Sequence, residues 1–291
     1  MSANYVGLHT TVTGMALACG ETVWQIIPPT LYESSEMASE YGRFVWHDLM
    51  TTDTDSAKKF YGEVAGWGTQ PWEGSPYIFL MNEGDMIGGM MPISEEMRKN
   101  KIMPSWTPSV GVENVDATAA KAAELGGKIV APPMDIPDIG RYAIIQDPQG
   151  MSLAIFKSNG EMPGHEGAPR EGEFSWHELL TTDYVAAFKF YSTLFGWEKM
   201  LEHDMGPMGI YLIYGLRGQQ YGGMLNKSPE MPAGLGWLCY VKVANAKAAA
   251  EIVTRLGGQV MGGPMEVPGG DWITICEDPQ GAKFAVHASK S

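Results

Sequence analysis

Two stretches of this chain are nearly the same. WHDLMTTD at residues 46–53 returns as WHELLTTD at residues 176–183, 130 residues later. Phe60-Tyr61 and Gly66-Trp67 return at that same offset as Phe190-Tyr191 and Gly196-Trp197. GGM at residues 88–90 returns at 222–224, Gly126-Gly127 as Gly257-Gly258, and DPQG at 147–150 as 278–281. Matches in one order at nearly one offset identify two homologous units. We place them at residues 41–158 and 171–291. The segment between, residues 159–170, is rich in Gly, Pro and Glu and reads as a linker. Residues 1–40 lie outside the repeat as an N-terminal extension.

Each unit reads as strand, helix and strands, done twice. FVWHDLM is a short apolar run suited to a buried strand. Asp53 then offers a helix N-cap, Ala57, Phe60, Tyr61 and Val64 follow at helical spacing, and Gly66 ends the helix. Strands are expected at residues 77–81, 86–91 and 104–112. An Ala-rich helix follows at 116–125, stopped by Gly126-Gly127. A hairpin over 141–146 and 151–156 then turns through DPQG. The second unit repeats this order.

The formal net charge is −14, and the basic residues 98, 99 and 101 sit beside Glu95 and Glu96. Phosphate binding needs basic clusters, so nucleic acid is excluded as a partner and a small-molecule ligand is expected. No run of about 18 apolar residues exists, so no membrane partner is expected either. The first 42 residues hold no Lys or Arg, against a secretory signal and for a cytoplasmic protein. Cys19, Cys239 and Cys276 are far apart and read as reduced, buried thiols. A homodimer is compatible with the sequence.

The strand ending in TTD, the helix carrying FY and closing in GW, the VENVDATAAKAAELGG segment and the DPQG hairpin occur twice in order. This set resembles the vicinal-oxygen-chelate superfamily, the group of glyoxalases, bleomycin-resistance proteins and extradiol dioxygenases. The resemblance implies an α+β fold of two tandem domains. Each would pair two βαβββ modules into a curved, partly closed sheet around a cavity. It also implies a divalent metal on inward strand positions. Three of the four such positions fall at Trp46, Thr107 and Ala154 in one unit and at Trp176, Leu238 and Ala285 in the other; the fourth, on the strand near GGM, has no assigned residue. Tryptophan, leucine and alanine do not ligate metals. No cofactor is therefore expected; a divalent metal is the alternative, with His47 and His177 its first suspects.

Strand alternation assigns the remaining candidates. If Trp46 and Trp176 face the cavity, so do Asp48 and Glu178. A carboxylate beside tryptophan in an apolar cleft has a raised pKa, as a general acid or base requires. Its structural alternative is a carboxylate paired with a tyrosine or threonine hydroxyl. His47 and His177, one place on, are weaker catalytic candidates: alternation puts them beneath the helix as core histidines bonded to backbone or solvent. Trp46, Tyr77, Trp106, Trp176, Tyr211 and Trp237 form matched aromatic pairs and are expected to line ligand cavities. Three functions stay open: lyase, isomerase or hydroxylase-like chemistry without the family's metal, non-catalytic sequestration of the bleomycin-resistance kind, and an interaction protein with vestigial cavities.

Overall fold

A computed structural model describes residues 41–165, 167–228, 231 and 234–290. The N-terminal extension, with Cys19, lies outside them. The first repeat opens with β1 (Phe44–Thr51), α1 (Thr54–Ala65), β2 (Gly68–Pro71), β3 (Ile78–Asn82) and β4 (Asp85–Pro92). A short α2 (Glu95–Lys99) leads to β5 (Ser105–Gly111), α3 (Val115–Glu124), β6 (Lys128–Ile136), β7 (Gly140–Gln146) and β8 (Ser152–Ser158). The second repeat runs β9 (Phe174–Thr181), α4 (Tyr184–Phe195), β10 (Glu198–Asp204), β11 (Ile210–Leu216) and β12 (Gln219–Asn226). It closes with β13 (Gly236–Lys242), α5 (Ala246–Arg255), β14 (Gln259–Glu266), β15 (Trp272–Glu277) and β16 (Lys283–Ala288).

Each repeat is therefore two βαβββ modules. Their strands join in one eight-stranded mixed sheet, in the order β2-β3-β4-β1-β5-β8-β7-β6 and its counterpart β10-β11-β12-β9-β13-β16-β15-β14. The modules meet where β1 runs antiparallel to β5, and β9 to β13. The sequence expectation of an α+β tandem fold holds. The residue pattern did not mark β2, β6 and α2, nor the counterparts β10 and β14, which carry little apolar periodicity: β2 is exposed along its whole length.

The helices start and stop as their termini dictate. Asp53 accepts hydrogen bonds from the backbone N–H groups of Asp55 and Ser56, and Asp183 does the same for Val185 and Ala186. Gly66 and Gly196 close α1 and α4 in the left-handed conformation.

The core crosses the repeats. Leu49, Phe60, Tyr61 and Trp106 of the first repeat pack with Val241, Val253, Phe284 and Val286 of the second. A second core joins Val110, Ala119, Ile145 and Ile155 to Leu179, Phe190, Tyr191 and Leu212. Each helix-bearing half of one repeat thus closes against the opposite half of the other. We call this shared side of each sheet its inner face. Four reciprocal bonds cross it. Trp67 Nε1 donates to the Gly172 carbonyl at 2.6 Å, and Trp197 Nε1 to the Gly42 carbonyl at 2.6 Å. Tyr61 donates to Asp278 at 3.0 Å, and Tyr191 to Asp147 at 3.1 Å.

Candidate functional site

Alternation along β1 and β9 decides which side chains reach the site. Leu49 and Leu179 belong to the inner cores. Trp46 and Asp48, and Trp176 and Glu178, consequently lie on the outer faces. The pairing of β1 with β5 slips between Phe44 and Trp46, leaving Val45 as an extra residue; Ser175 is the counterpart in β9. Such a bulge turns the preceding residue to the opposite face. Phe44 and Phe174 therefore point inward although they stand two residues from outward tryptophans.

On each outer face a tryptophan, a tyrosine and a carboxylate form a chain. Trp46 Nε1 donates to Tyr77 Oη at 2.8 Å, and Tyr77 Oη donates to Asp48 Oδ1 at 2.5 Å. In the second repeat Trp176 Nε1 donates to Tyr211 Oη at 2.8 Å, and Tyr211 donates to Glu178 Oε2 at 2.9 Å. Burial pushes the Asp48 carboxyl up to about 6, against the hydrogen bonds from Tyr77 and Trp46 that favour its charge. Burial also raises Glu178, which bonds to Tyr240 as well as Tyr211. Tyr240 stands where the first repeat has Ser109, since both pair with the tryptophan of the neighbouring strand. The second site therefore carries a phenol that reaches the carboxylate where the first has a short aliphatic hydroxyl. Sequence reading missed it because the repeat match at this strand is weak. The GGM motif acquires a physical role here. A Cβ on Gly89 would lie 2.0 Å from Tyr77 Oη, and one on Gly223 2.1 Å from Tyr211 Cζ. The glycine makes room for the tyrosine that holds the carboxylate.

Trp106 and Trp237, expected to line the outer faces, do not. Trp106 pairs with Leu49 across β1 and β5, and Trp237 with Leu179 across β9 and β13, so both share the inward leucine face. Trp106 Nε1 donates to Tyr61 Oη at 2.9 Å within the core, and Trp237 packs edge-on against Tyr191. Four of the six aromatic candidates, Trp46, Tyr77, Trp176 and Tyr211, are placed with the carboxylates.

His47 and His177 face inward, but neither is an ordinary core histidine bonded to backbone or solvent alone. They meet where the repeats join, with their Nε2 atoms 2.7 Å apart. His47 stacks on Phe174 of the other repeat, and His177 on Phe44, each at 3.6 Å between ring centres. Burial holds both imidazoles well below their usual range, His177 at about 3. Beside them lies a cleft of about 120 Å³, bordered by Arg43, Met86, His165, Glu173 and Gln219.

A family model described as the Glyoxalase/Bleomycin resistance protein/Dioxygenase superfamily matches residues 43–155 and again 174–286. The chain belongs to this superfamily. A protein named "Putative glyoxylase CFP32" from Mycobacterium tuberculosis is 31% identical over 258 residues, covering 85% of this chain and 96% of that protein. The anthracycline biosynthesis protein DnrV of Streptomyces peucetius is 25% identical over 260 residues, covering 84% of this chain and 92% of its own length. Among solved structures, the Mn(II)-bound glyoxalase of Novosphingobium aromaticivorans aligns with a TM-score of 0.61 at 14% identity, over 87% of this chain and 83% of that one. The homoprotocatechuate 2,3-dioxygenase of Brevibacterium fuscum, in its complex with 3,4-dihydroxyphenylacetate, gives 0.62 at 14% identity, over 86% and 81%. These two likenesses are of fold.

The three superfamily metal positions located by the resemblance do not supply a ligand set here. Thr107 pairs with Asp48 and Leu238 with Glu178, so both positions do lie on the outer faces. Their neighbours are Trp46, whose indole N–H is committed to Tyr77, and Ala154; in the second repeat they are Trp176 and Ala285. Only Thr107 carries an oxygen, and one neutral hydroxyl does not hold a divalent cation.

Proposed function

We propose that this chain is a glyoxalase-like protein that takes a small aromatic or carbonyl compound on its outer faces and works there through Asp48 and Glu178. The observation that carries this is the tryptophan–tyrosine–carboxylate chain, present on both faces at the strand where the superfamily places its first metal ligand. A carboxyl raised toward neutrality and oriented by a tyrosine both accepts and returns a proton near physiological pH. That is the requirement for proton transfer beside a carbonyl, as in lyase or isomerase chemistry. The tyrosine fixes which carboxylate oxygen stays free, and the tryptophan fixes the tyrosine. Half-buried indole and phenol rings beside it offer a planar compound stacking surface. The relative named for anthracycline biosynthesis supports an aromatic ligand.

A second reading, binding without turnover, is favoured by the loss of metal ligands at Trp46, Ala154, Trp176, Leu238 and Ala285. Without a Lewis acid an enolate has less to stabilise it. Both readings use the same carboxylates.

The test is a thermal-shift panel of small aromatic and vicinal dicarbonyl compounds, followed by calorimetry and turnover assays on those that stabilise the protein. Asp48→Asn and Glu178→Gln keep shape while removing charge and proton-transfer capacity. Each is expected to weaken binding at its own site at least tenfold, or to abolish turnover, with the unfolding midpoint little changed. Compounds that bind wild type and the double variant equally would remove the carboxylates from the site.

A further inference from the structure

The histidine pair raises a hydrogen-bonding problem. His177 Nδ1 lies 3.3 Å from the Tyr221 carbonyl, a contact that fixes its ring proton on Nδ1. The backbone of Ile87, which is the counterpart of Tyr221 in the first repeat, bonds the His47 ring. With Nδ1–H turned to a carbonyl in each ring, both Nε2 atoms present lone pairs to each other at 2.7 Å. Two acceptors in contact repel unless something electrophilic lies between them. The rings cannot turn aside, because Phe44 and Phe174 clamp them face to face.

A third donor faces the same point. Cys239 lies directly opposite His177 across β9 and β13, so its side chain shares the inward face. Its Sγ and the two imidazole nitrogens all lie within 4.8 Å of one another, and all three residues are buried. Two imidazole lone pairs and a thiol converge while carbonyls hold the far ring nitrogens. That is how proteins orient metal-ligating histidines. We infer that His47, His177 and Cys239 form a binding site for a divalent cation that prefers nitrogen and sulfur, Zn²⁺ being the type, in the seam between the repeats. The site is separate from the superfamily's metal position, which lies on the other side of each sheet, and it does not rest on the function proposed above.

The fit asks for a small movement. Metal–nitrogen bonds of about 2.0–2.1 Å in a tetrahedral shell set the two Nε2 atoms roughly 3.3 Å apart. The two Nε2 atoms must therefore part by about 0.6 Å from their 2.7 Å separation. Binding forms two metal–nitrogen bonds and one metal–sulfur bond. The thiol proton leaves to solvent, and nothing is oxidised or reduced. The cleft bordered by both histidines gives the ion its way in and supplies water as fourth ligand. The first repeat has Pro108 where the second has Cys239, so the seam holds one such site, not two. Its ligands come from β1, β9 and β13, and a bound ion would tie the repeats together.

Cobalt(II) is the probe, because its spectrum reports thiolate ligation. The full chain, stripped with a chelator, is titrated with Co²⁺ and then with Zn²⁺. The expected result is one Co²⁺ per chain, a thiolate-to-cobalt charge-transfer band, tetrahedral ligand-field bands, and displacement by Zn²⁺. Cys239→Ser should abolish the charge-transfer band, whereas Cys19→Ser and Cys276→Ser should leave it. His47→Asn or His177→Asn should weaken Co²⁺ at least tenfold in protein that circular dichroism shows folded. Should those histidine variants not fold, the Cys239→Ser comparison decides by itself. The Asp48→Asn and Glu178→Gln variants should bind Co²⁺ as wild type does. Folded wild type that takes up no Co²⁺, a band that survives Cys239→Ser, or uptake lost with the carboxylates would each overturn the assignment.

Discussion

At the residue scale, the small side chains matter as much as the reactive ones. Asp48 can be held by Tyr77 only because residue 89 has no side chain. Gly89→Ala is therefore expected to act at a distance. The new methyl would displace the Tyr77 ring and break the chain from Trp46 to Asp48. Overpacking of this kind costs about 1–3 kcal/mol. Denaturant unfolding should show that loss, and ligand binding at the first site should fall as it does in Asp48→Asn. Gly223→Ala should do the same to the second site. A Gly89→Ala protein with native stability and native binding would mean that Tyr77 does not position the carboxylate. The repeat made GGM visible in the sequence as a motif. Its meaning was not visible, because the clash partner is a tyrosine on a neighbouring strand.

At the scale of elements, parity was legible and pairing was not. WHDLM and WHELL show which residues alternate, and one hydrophobic choice, Leu49 inward, fixes Trp46 and Asp48 outward. Trp106 and Trp237 were misplaced because their face depends on the register of β5 against β1 and β13 against β9. No residue within those strands states that register. The DPQG hairpins show the same limit. Asp147 Oδ1 accepts from the backbone N–H groups of Gln149 and Met151, which any local reading finds. Its other oxygen accepts from Tyr191 of the opposite repeat. Asp278 is used likewise by Tyr61. Burial raises both carboxyls above their ordinary range. A raised folded value means that protonation favours the fold. This contribution is fully present below the unfolded value of 3.8 and is lost as pH rises through the folded values. The buried histidines titrate the other way, since both are held low and must charge on unfolding in acid. The raw pH profile therefore mixes two trends, and a difference between proteins separates them. The Asp147→Asn/Asp278→Asn double variant should gain on wild type as pH rises from the unfolded value of 3.8 through the raised folded values and then hold level, on top of a constant offset for altered hydrogen bonds. Unfolding midpoints measured in parallel give the answer, and a gain in the opposite direction would contradict raised carboxyls.

For the whole molecule, the repeat is a statement about stability as well as descent. Neither repeat owns an inner core. Phe60 and Tyr61 of α1 pack on Phe284 of β16, and Phe190 and Tyr191 of α4 pack with Ile145 and Leu153 of the first repeat. The tryptophan and tyrosine bonds across the seam are reciprocal, as an approximate two-fold relation requires. The same relation explains the histidines. Equivalent residues meet where the axis passes, so His47 finds His177. The sequence carried that signal, an inward histidine at the same place in each unit, but reading it required knowing that the units pack inner face to inner face. A chain cut in the linker should then behave in a definite way. Residues 41–165 alone would expose the apolar face of α1, of α3 and of the sheet beneath them. Burial is worth about 25 cal/mol per Å² of apolar surface, so roughly 200–600 Å² of newly exposed core offsets the 5–15 kcal/mol by which domains are usually stable. Each half expressed alone is expected to be unfolded or self-associated, with two copies imitating the natural pair. Mixed halves should recover the near-ultraviolet circular dichroism of the intact chain, because Trp67, Trp106, Trp197 and Trp237 regain their packed rings. Light scattering and denaturant unfolding measure this directly. A half that stays monomeric and unfolds cooperatively would show that one sheet with its two helices suffices, and that the shared cores only dock finished domains.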